Sequence, residues 1–475
     1  MKGCLRQPFF YWNRLASRRL PGKLRHTLIR TNLMGERDMN RRTFATSLLA
    51  APAVSMAVAQ EAGKRTNGLP PLTIKDVRVI QTTGGARYRW VFLKIITSEP
   101  GLYGIGSANN SYQTQAVIAA LEHHLKPWLI GKDPQQIEDL WQSAHLRTYW
   151  RNGPVNNNVL SAMDMALWDI KGKRAGMPVY ELLGGKVRDA VPCYDHVGGK
   201  DAAEASEAVL KSLAKGYRHV RVQFGAYGGG GFISPGVGSR PEGARNIPGF
   251  DEELYVDSVS RMFEQVRAKI GFEAKLCHDV HSHLTGMNAA EFCRRLQPLQ
   301  MHFVEDVLPP EQLSWYKHIR QVCTTPQAVG ELFTHPFEYV PLIAERLIDY
   351  ARCRVSGIGG ITPAKKVAHL CEVFGTKTAF QEGGENDPVN QLAAYHVDIS
   401  SPGFGIQEEN HFPPSVYEVL PGTAEIRKGY LYGNGKPGLG IDIDEALAAK
   451  YPFGPVRNGG AYPLDRGMDG SVVKP

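Results

Sequence analysis

Three stretches decide the fold: AKLCHDV at residues 274–280, MHFVEDV at 301–307 and QAVGELF at 327–333. Each is a short apolar run that ends in an acid, Asp279, Glu305 and Glu331 in turn. The acids stand 26 residues apart, about the length of one strand plus one returning helix. Five further runs share this rhythm: VPCYDHV (191–197), HVRVQF (219–224), YARCRVS (350–356), KTAFQEG (377–383) and FGIQEEN (404–410). Helical patterns lie between them, for example over 286–296 and 363–374. Eight strand–helix repeats in succession imply a closed parallel (β/α)₈ barrel. An open doubly wound sheet would need a ligand loop after its first strand, and no G-x-G-x-x-G stands there.

Ahead of the repeats the pattern differs. Residues 72–97 alternate and are β-rich, with Gly84-Gly85 at a turn, which predicts a hairpin. Helical periodicity follows over about 113–130, 135–148 and 157–175. The last helix puts Leu160, Met163, Ala166, Leu167 and Ile170 on one face and stops near Gly176-Met177-Pro178. Strands followed by helices in one block predict an α+β capping domain over 60–188. The barrel then spans 189–425, and a C-terminal segment, 426–475, returns to the cap. The Gly/Pro-rich stretch 225–250 follows the second barrel strand and is expected over the barrel mouth.

Charge separates a leader from this body. Of a net +8, the first 59 residues hold +9, from eleven Lys and Arg against Glu36 and Asp38, so the rest carries −1. The basic balance therefore gives no reason to expect a nucleic-acid partner. Arg41-Arg42, the weakly apolar run Phe44 to Val58 and Ala57-Val58-Ala59 form a twin-arginine-type export signal, which implies a periplasmic protein. No stretch is apolar over the roughly 18 residues a membrane span needs. The seven cysteines show no C-x-x-C spacing and read as buried free thiols.

Active residues of such barrels sit at the C-terminal ends of strands, where these three acids stand. Three carboxylates on adjacent apolar strand ends are costly to keep ionised without a positive partner, and no Lys or Arg lies within those ends. A hard divalent cation with oxygen ligands, Mg²⁺, resolves the conflict. His281 stands two residues past Asp279; on an extended backbone it faces the same side and suits acid/base work. His283 is read as a structural hydrogen-bonding residue.

These residues, together with YWRNGPV (149–155), SAMDMALWDIKGK (161–173), LLGGK (182–186), GGIT (359–362), GIQEEN (405–410) and the tail 436–453, resemble the mannonate dehydratase branch of the enolase superfamily. The likeness covers about residues 72–460. It implies a modified TIM barrel under an α+β cap and a homo-oligomer, with one Mg²⁺ on Asp279, Glu305 and Glu331. It implies a hydro-lyase that takes the proton α to a sugar-acid carboxylate and expels water, leaving a 2-keto-3-deoxy acid. By the same resemblance His281 serves the leaving hydroxyl, Arg221 partners the base, and His196, Arg352 and Glu408 line the substrate pocket; Gln381 and Asn110 are further substrate-binding candidates at positions where the chain departs from the branch. The chain departs from the branch at several points. A glycine run replaces the loop that carries the basic Tyr, which leaves Tyr227 and Arg221 as candidates for the base. Phe380-Gln381-Glu382 stands where the branch has a His, and Ser111 follows Asn110 where it has a cap Asn. Arg221-Val222-Gln223 replaces the K-x-K of the racemase and cycloisomerase branches. Sugar-acid epimerisation and sugar-acid binding with little turnover stand as alternatives.

Overall fold

A computed structural model describes residues 69–109, 112–224, 241–243, 250–454 and 466–473. The leader, Asn110, Tyr227 and most of 225–250 lie outside the described residues.

The expected hairpin forms and gains a strand. β1 (Ile74–Thr82), β2 (Trp90–Thr97) and β3 (Tyr103–Ser107) make an antiparallel meander. The helices α1 (Thr114–Ala120), α2 (Ile137–Arg147) and α3 (Gly153–Ala175) follow. α3 begins four residues before the expected start, because Pro154 in its first turn has the right φ and needs no N–H partner there. It ends at Gly176, which takes the left-handed cap at φ 68°. The five apolar residues expected on one face are all buried. β3 lies directly on this helix: a Cβ at Gly106 would fall 2.0 Å from the Ala162 carbonyl, and one at Gly104 2.0 Å from that of Ala166.

A short turn, α4 (Val179–Leu182), leads into the barrel. Its strands are β4 (Val191–Gly199), β5 (His219–Phe224), β6 (Lys275–Asp279), β7 (Phe303–Glu305), β8 (Gln327–Val329), β9 (Tyr350–Ala351), β10 (Lys377–Thr378) and β11 (Gln407–Glu408). Each falls within one of the eight runs or, for β4, extends it by two residues. Strands β4 to β10 pair parallel with their neighbours in order. Closure comes from β11, which pairs with β4, and from the Thr378–Phe404 bridge just before it. The intervening helices are α5 (Ala202–Ala214), α6 (Glu252–Ile270), α7 (Gly286–Leu296), α8 (Tyr316–Val322), α9 (Pro336–Ala344), α10 (Ile361–Phe374) and α11 (Pro388–Ile399).

Alternation along the strands separates two cores. Val220, Val222 and Phe224 of β5 join the large core shared with the helices. Tyr194, Cys277, Phe303, Ala328, Ala379 and Ile406 pack together as the inner layer. The tail binds the cap: the Leu439 amide donates to Asp169 of α3 (2.9 Å), Lys94 pairs with Glu445 (2.6 Å), and Thr82 Oγ1 donates to the Ala448 carbonyl (2.9 Å). The six described cysteines are free and buried. No helix among the described residues is long and apolar enough to cross a membrane.

Candidate active site at the strand ends

The acids meet because the strands are in register. Asp279 and Glu305 are direct partners across β6 and β7, and β8 brings in Glu331 two residues beyond its end. Carboxylate oxygens of Glu305, Asp306 and Glu331 all lie within 4.8 Å of one another. Asp306 was not singled out from sequence, since on a strand it would point away from Glu305. The strand has already ended there: Asp306 takes φ 36°, and its carboxylate accepts from the amides of Gly330 (2.8 Å) and Glu331 (3.3 Å). Burial, with Glu331 adding to it, pushes the Asp306 carboxyl up to about 8. Burial likewise raises Glu305 well above the usual carboxylate range.

Positive partners do reach the acids, from strands other than those that carry them. Arg352, beyond the end of β9, places Nε 2.5 Å from Glu305 and Nη2 2.6 Å from Glu408. Arg221 of β5 places Nη1 3.1 Å from Glu408 and 3.5 Å from both Asp279 and Glu305. Burial works against ionised Glu408, yet Arg352 and Arg221 outweigh it and hold its carboxyl well below the usual range. No Lys or Arg stands within the three acid-bearing strand ends, but barrel closure brings two guanidinium groups to them. Five carboxyls (Asp279, Glu305, Asp306, Glu331, Glu408) still face these two permanent charges.

That imbalance tests whether a cation fits. Both oxygens of Glu305 are buried and accept no hydrogen bond, the Arg352 contact being ionic rather than a hydrogen bond. Oxygens on opposite sides of Mg²⁺ stand about 4.2 Å apart, so Glu305, Asp306 and Glu331, already within 4.8 Å of one another, need little adjustment, while Asp279 stands beside that group rather than in it. The donors are all hard oxygens. The residues fit the ion.

His281 lies beside this group, though not by the expected route. Its φ is 56° and that of Ser282 63°, so the chain has turned after β6 rather than continuing extended. The turn lets the His281 amide donate to Asp279 Oδ1 (2.8 Å) and sets Nε2 3.3 Å from Glu331. Burial alone would lower the imidazole, but Glu331, Asp279 and Asp306 outweigh it and raise it. His283 Nδ1 lies 2.8 Å from the His281 carbonyl oxygen, a structural bond of the kind expected.

Of the residues assigned to the pocket by resemblance, His196 Nε2 lies 2.8 Å from Glu408. Burial, then Arg221, lowers His196 and favours the neutral ring. Arg352 is wholly buried beneath the acids. Gln381 is turned into its own loop, donating to the Gly383 carbonyl (3.3 Å) and accepting from Asn386 (2.8 Å). The Glu382 carboxylate accepts from Asn390 of α11 (2.5 Å), while its backbone amide donates to Glu408 (3.2 Å). Sequence reasoning also missed Arg354, two residues beyond Arg352, which pairs with Glu385 (2.5 Å) and donates to the Asn109 carbonyl of the cap (2.9 Å). The A-R-C-R spacing was the available signal, since alternate residues share a side.

A second acid group, Asp195, Glu409 and His411, sits one residue out of phase, on the outer side of the β4–β11 seam. Its oxygens already have donors. Tyr217 donates to Glu409 (2.8 Å), Ser212 to Asp195 (2.7 Å) and Cys193 to Glu409 (3.3 Å). It reads as a clasp on the closing strands.

Comparison with known proteins agrees with this geometry. Residues 71–184 match the mandelate racemase / muconate lactonizing enzyme N-terminal domain, and 202–447 the enolase C-terminal domain-like family. A D-galactonate dehydratase family member of Paenibacillus sp. (strain JDR-2) is 50% identical over 391 residues, 81% of this chain and 96% of that protein. The family member RspA of Pantoea ananatis is 47% identical over 419 residues, 85% and 99% of the two chains. A crystal structure of an enolase from Pantoea ananatis with bound D-gluconate and Mg superposes with a TM-score of 0.81 at 45% identity, covering 85% of this chain and all of that one. The chain belongs to the D-galactonate dehydratase family of the enolase superfamily.

Proposed function

We propose that the protein is a Mg²⁺-dependent hydro-lyase that converts a hexonate-type sugar acid to its 2-keto-3-deoxy acid. One observation carries the reading: the carboxyl groups clustered at successive strand ends outnumber their guanidinium partners by three, with a histidine at the cluster's edge. Asp279, Glu305 and Glu331, with Asp306 beside them, would hold the ion. When bound, it supplies fixed positive charge where the substrate carboxylate becomes more negative.

The remaining roles follow from the chain's own groups. Arg221, held by three carboxylates, keeps its charge and cannot serve as a base at neutral pH. We therefore assign the base to Tyr227, the other candidate that the family resemblance leaves. Tyr227, as its phenolate, takes the proton at C-2, the electron pair moves toward the carboxylate, and the C-3 hydroxyl leaves as water with a proton from the protonated His281. Glu331 and Asp279 support the protonated imidazole against the opposing effect of burial, so His281 carries a proton that it can give up. The enol left behind ketonises. Arg352 holds Glu305 and Glu408 in place from below. The motifs shared with mannonate dehydratases support a six-carbon acid. The Arg41-Arg42 leader supports export, which cell fractionation with and without both arginines tests.

The test is incubation with Mg²⁺ and a panel of hexonates, assayed for 2-keto-3-deoxy products. Turnover of at least one acid, abolished by EDTA and restored by Mg²⁺, is expected. No product from any acid, with Mg²⁺ bound, would overturn the reading.

A further inference from the structure

Gln223 stands two residues after Arg221 on β5 and shares its inward side, while Val222 and Phe224 turn into the outer core. Its amide is fixed at one end only. Nε2 donates to the Asp279 carbonyl at 2.7 Å, which sets both the direction of the side chain and which end carries the oxygen. The opposite orientation would press two acceptors together. Oε1 is then buried with no donor among the described residues. A buried amide oxygen without a donor is unfavourable, and such groups in native proteins call for an explanation.

The position narrows that explanation. Asp279, to whose main chain Gln223 is tied, carries one of the carboxylates at the mouth. A neutral carboxamide neither gives nor takes a proton at ordinary pH, so general acid or base work is excluded. It can accept a hydrogen bond from a hydroxyl. A polyhydroxy acid brings hydroxyls at each carbon beyond its carboxylate, whereas an unhydroxylated acid brings none.

We infer that Gln223 is a specificity-determining residue whose Oε1 accepts a hydrogen bond from one hydroxyl of the bound sugar acid. The inference rests on the proposed sugar-acid function. It makes Gln223 a group that selects hydroxylated acids and holds them at a set depth beside Asp279. Binding an acid without that hydroxyl leaves the buried oxygen unpaired, which is how such sites reject analogues.

The experiment measures calorimetric binding of D-gluconate, D-mannonate, D-galactonate and the 2-, 3-, 4- and 5-deoxy gluconates to the Mg²⁺-loaded protein and its Gln223→Leu variant. Leucine keeps the approximate volume and removes the acceptor. The expected result is a loss of about tenfold or more in affinity for the best hydroxylated acid. One deoxy acid should bind parent and variant equally, and the Mg²⁺ affinity of the two proteins should agree within about threefold. Gln223→Met, a second unbranched replacement without an acceptor, should reproduce the pattern. Equal losses across all the acids would assign Gln223 a purely structural role and overturn the inference. Unchanged affinity in both variants would also overturn it, while leaving the sugar-acid reading standing. Failure of the parent protein to bind any of the acids would instead remove the functional reading and this inference with it.

Discussion

Arg352 is wholly buried and bridges Glu305 and Glu408, so its removal strands two carboxylates away from water. Breaking a buried ion pair from one side costs about 3–5 kcal/mol. Arg352→Ala is therefore expected to lower stability by about that much, read as the shift in urea midpoint. Arg352→Lys should recover only part, since an ammonium cannot reach two acids as a planar fork does. An unchanged midpoint for the alanine variant would show that the two acids are not held by this residue. The proposed function makes a different prediction for His281, whose ring Nε2 lies 3.3 Å from Glu331. His281→Asn should cut kcat by about 10²–10⁴ while Mg²⁺ affinity stays within a few-fold. Equal losses of metal binding and turnover would instead make the histidine part of the ion's seat.

Elements explain what could be read from the chain and what could not. All eight barrel strands were legible because each is an apolar run ending near a polar residue, a local signal. β3 was not, since Y-G-I-G-S lacks the apolar weight of a strand and its glycines answer to α3 instead. That contact gives a direct test. Gly106→Ala would place a methyl carbon 2.0 Å from the Ala162 carbonyl, so strand and helix must part. Overpacking of this kind costs about 1–3 kcal/mol, and thermal melting should show the cap loosened, whereas an unchanged Tm would deny the close approach. The site followed the same division. The placement of Asp279, Glu305 and Glu331 at successive strand ends was legible from spacing alone. Asp306 and the true course of His281 were not, because both depend on positive φ values just past a strand end. The pairing of Arg221 and Arg352 with acids on other strands was also hidden, since it exists only once the barrel closes.

At the scale of the whole molecule, Asp164 and Asp387 each make a contribution to stability that falls as pH rises through the weakly acid range. Asp164 lies buried in α3 and accepts from the Thr362 amide at the start of α10 (2.9 Å). Burial pushes its carboxyl up to about 7, and burial also pushes Asp387 up to about 6. Below about pH 4 both carboxyls are protonated in folded and unfolded chains alike. Above that the unfolded chain ionises first, so the folded state holds more protons and loses stability until pH passes about 7. One such proton is worth about 1.4 kcal/mol per pH unit in that window. Asp164→Asn, which can still accept from Thr362, should lose less stability than the parent between pH 5 and pH 7. Equal slopes in urea titrations at the two pH values would contradict this.

The central claim, that this cluster directs loss of water rather than exchange of a proton, meets its most direct test in D₂O. The Mg²⁺-loaded protein and the sugar acid it turns over best would be followed by proton NMR. The expected result is a 2-keto-3-deoxy acid carrying deuterium at C-3, with the remaining acid unlabelled. Deuterium at C-2 of the recovered acid, with inverted configuration and no keto product, would contradict it and make the protein an epimerase.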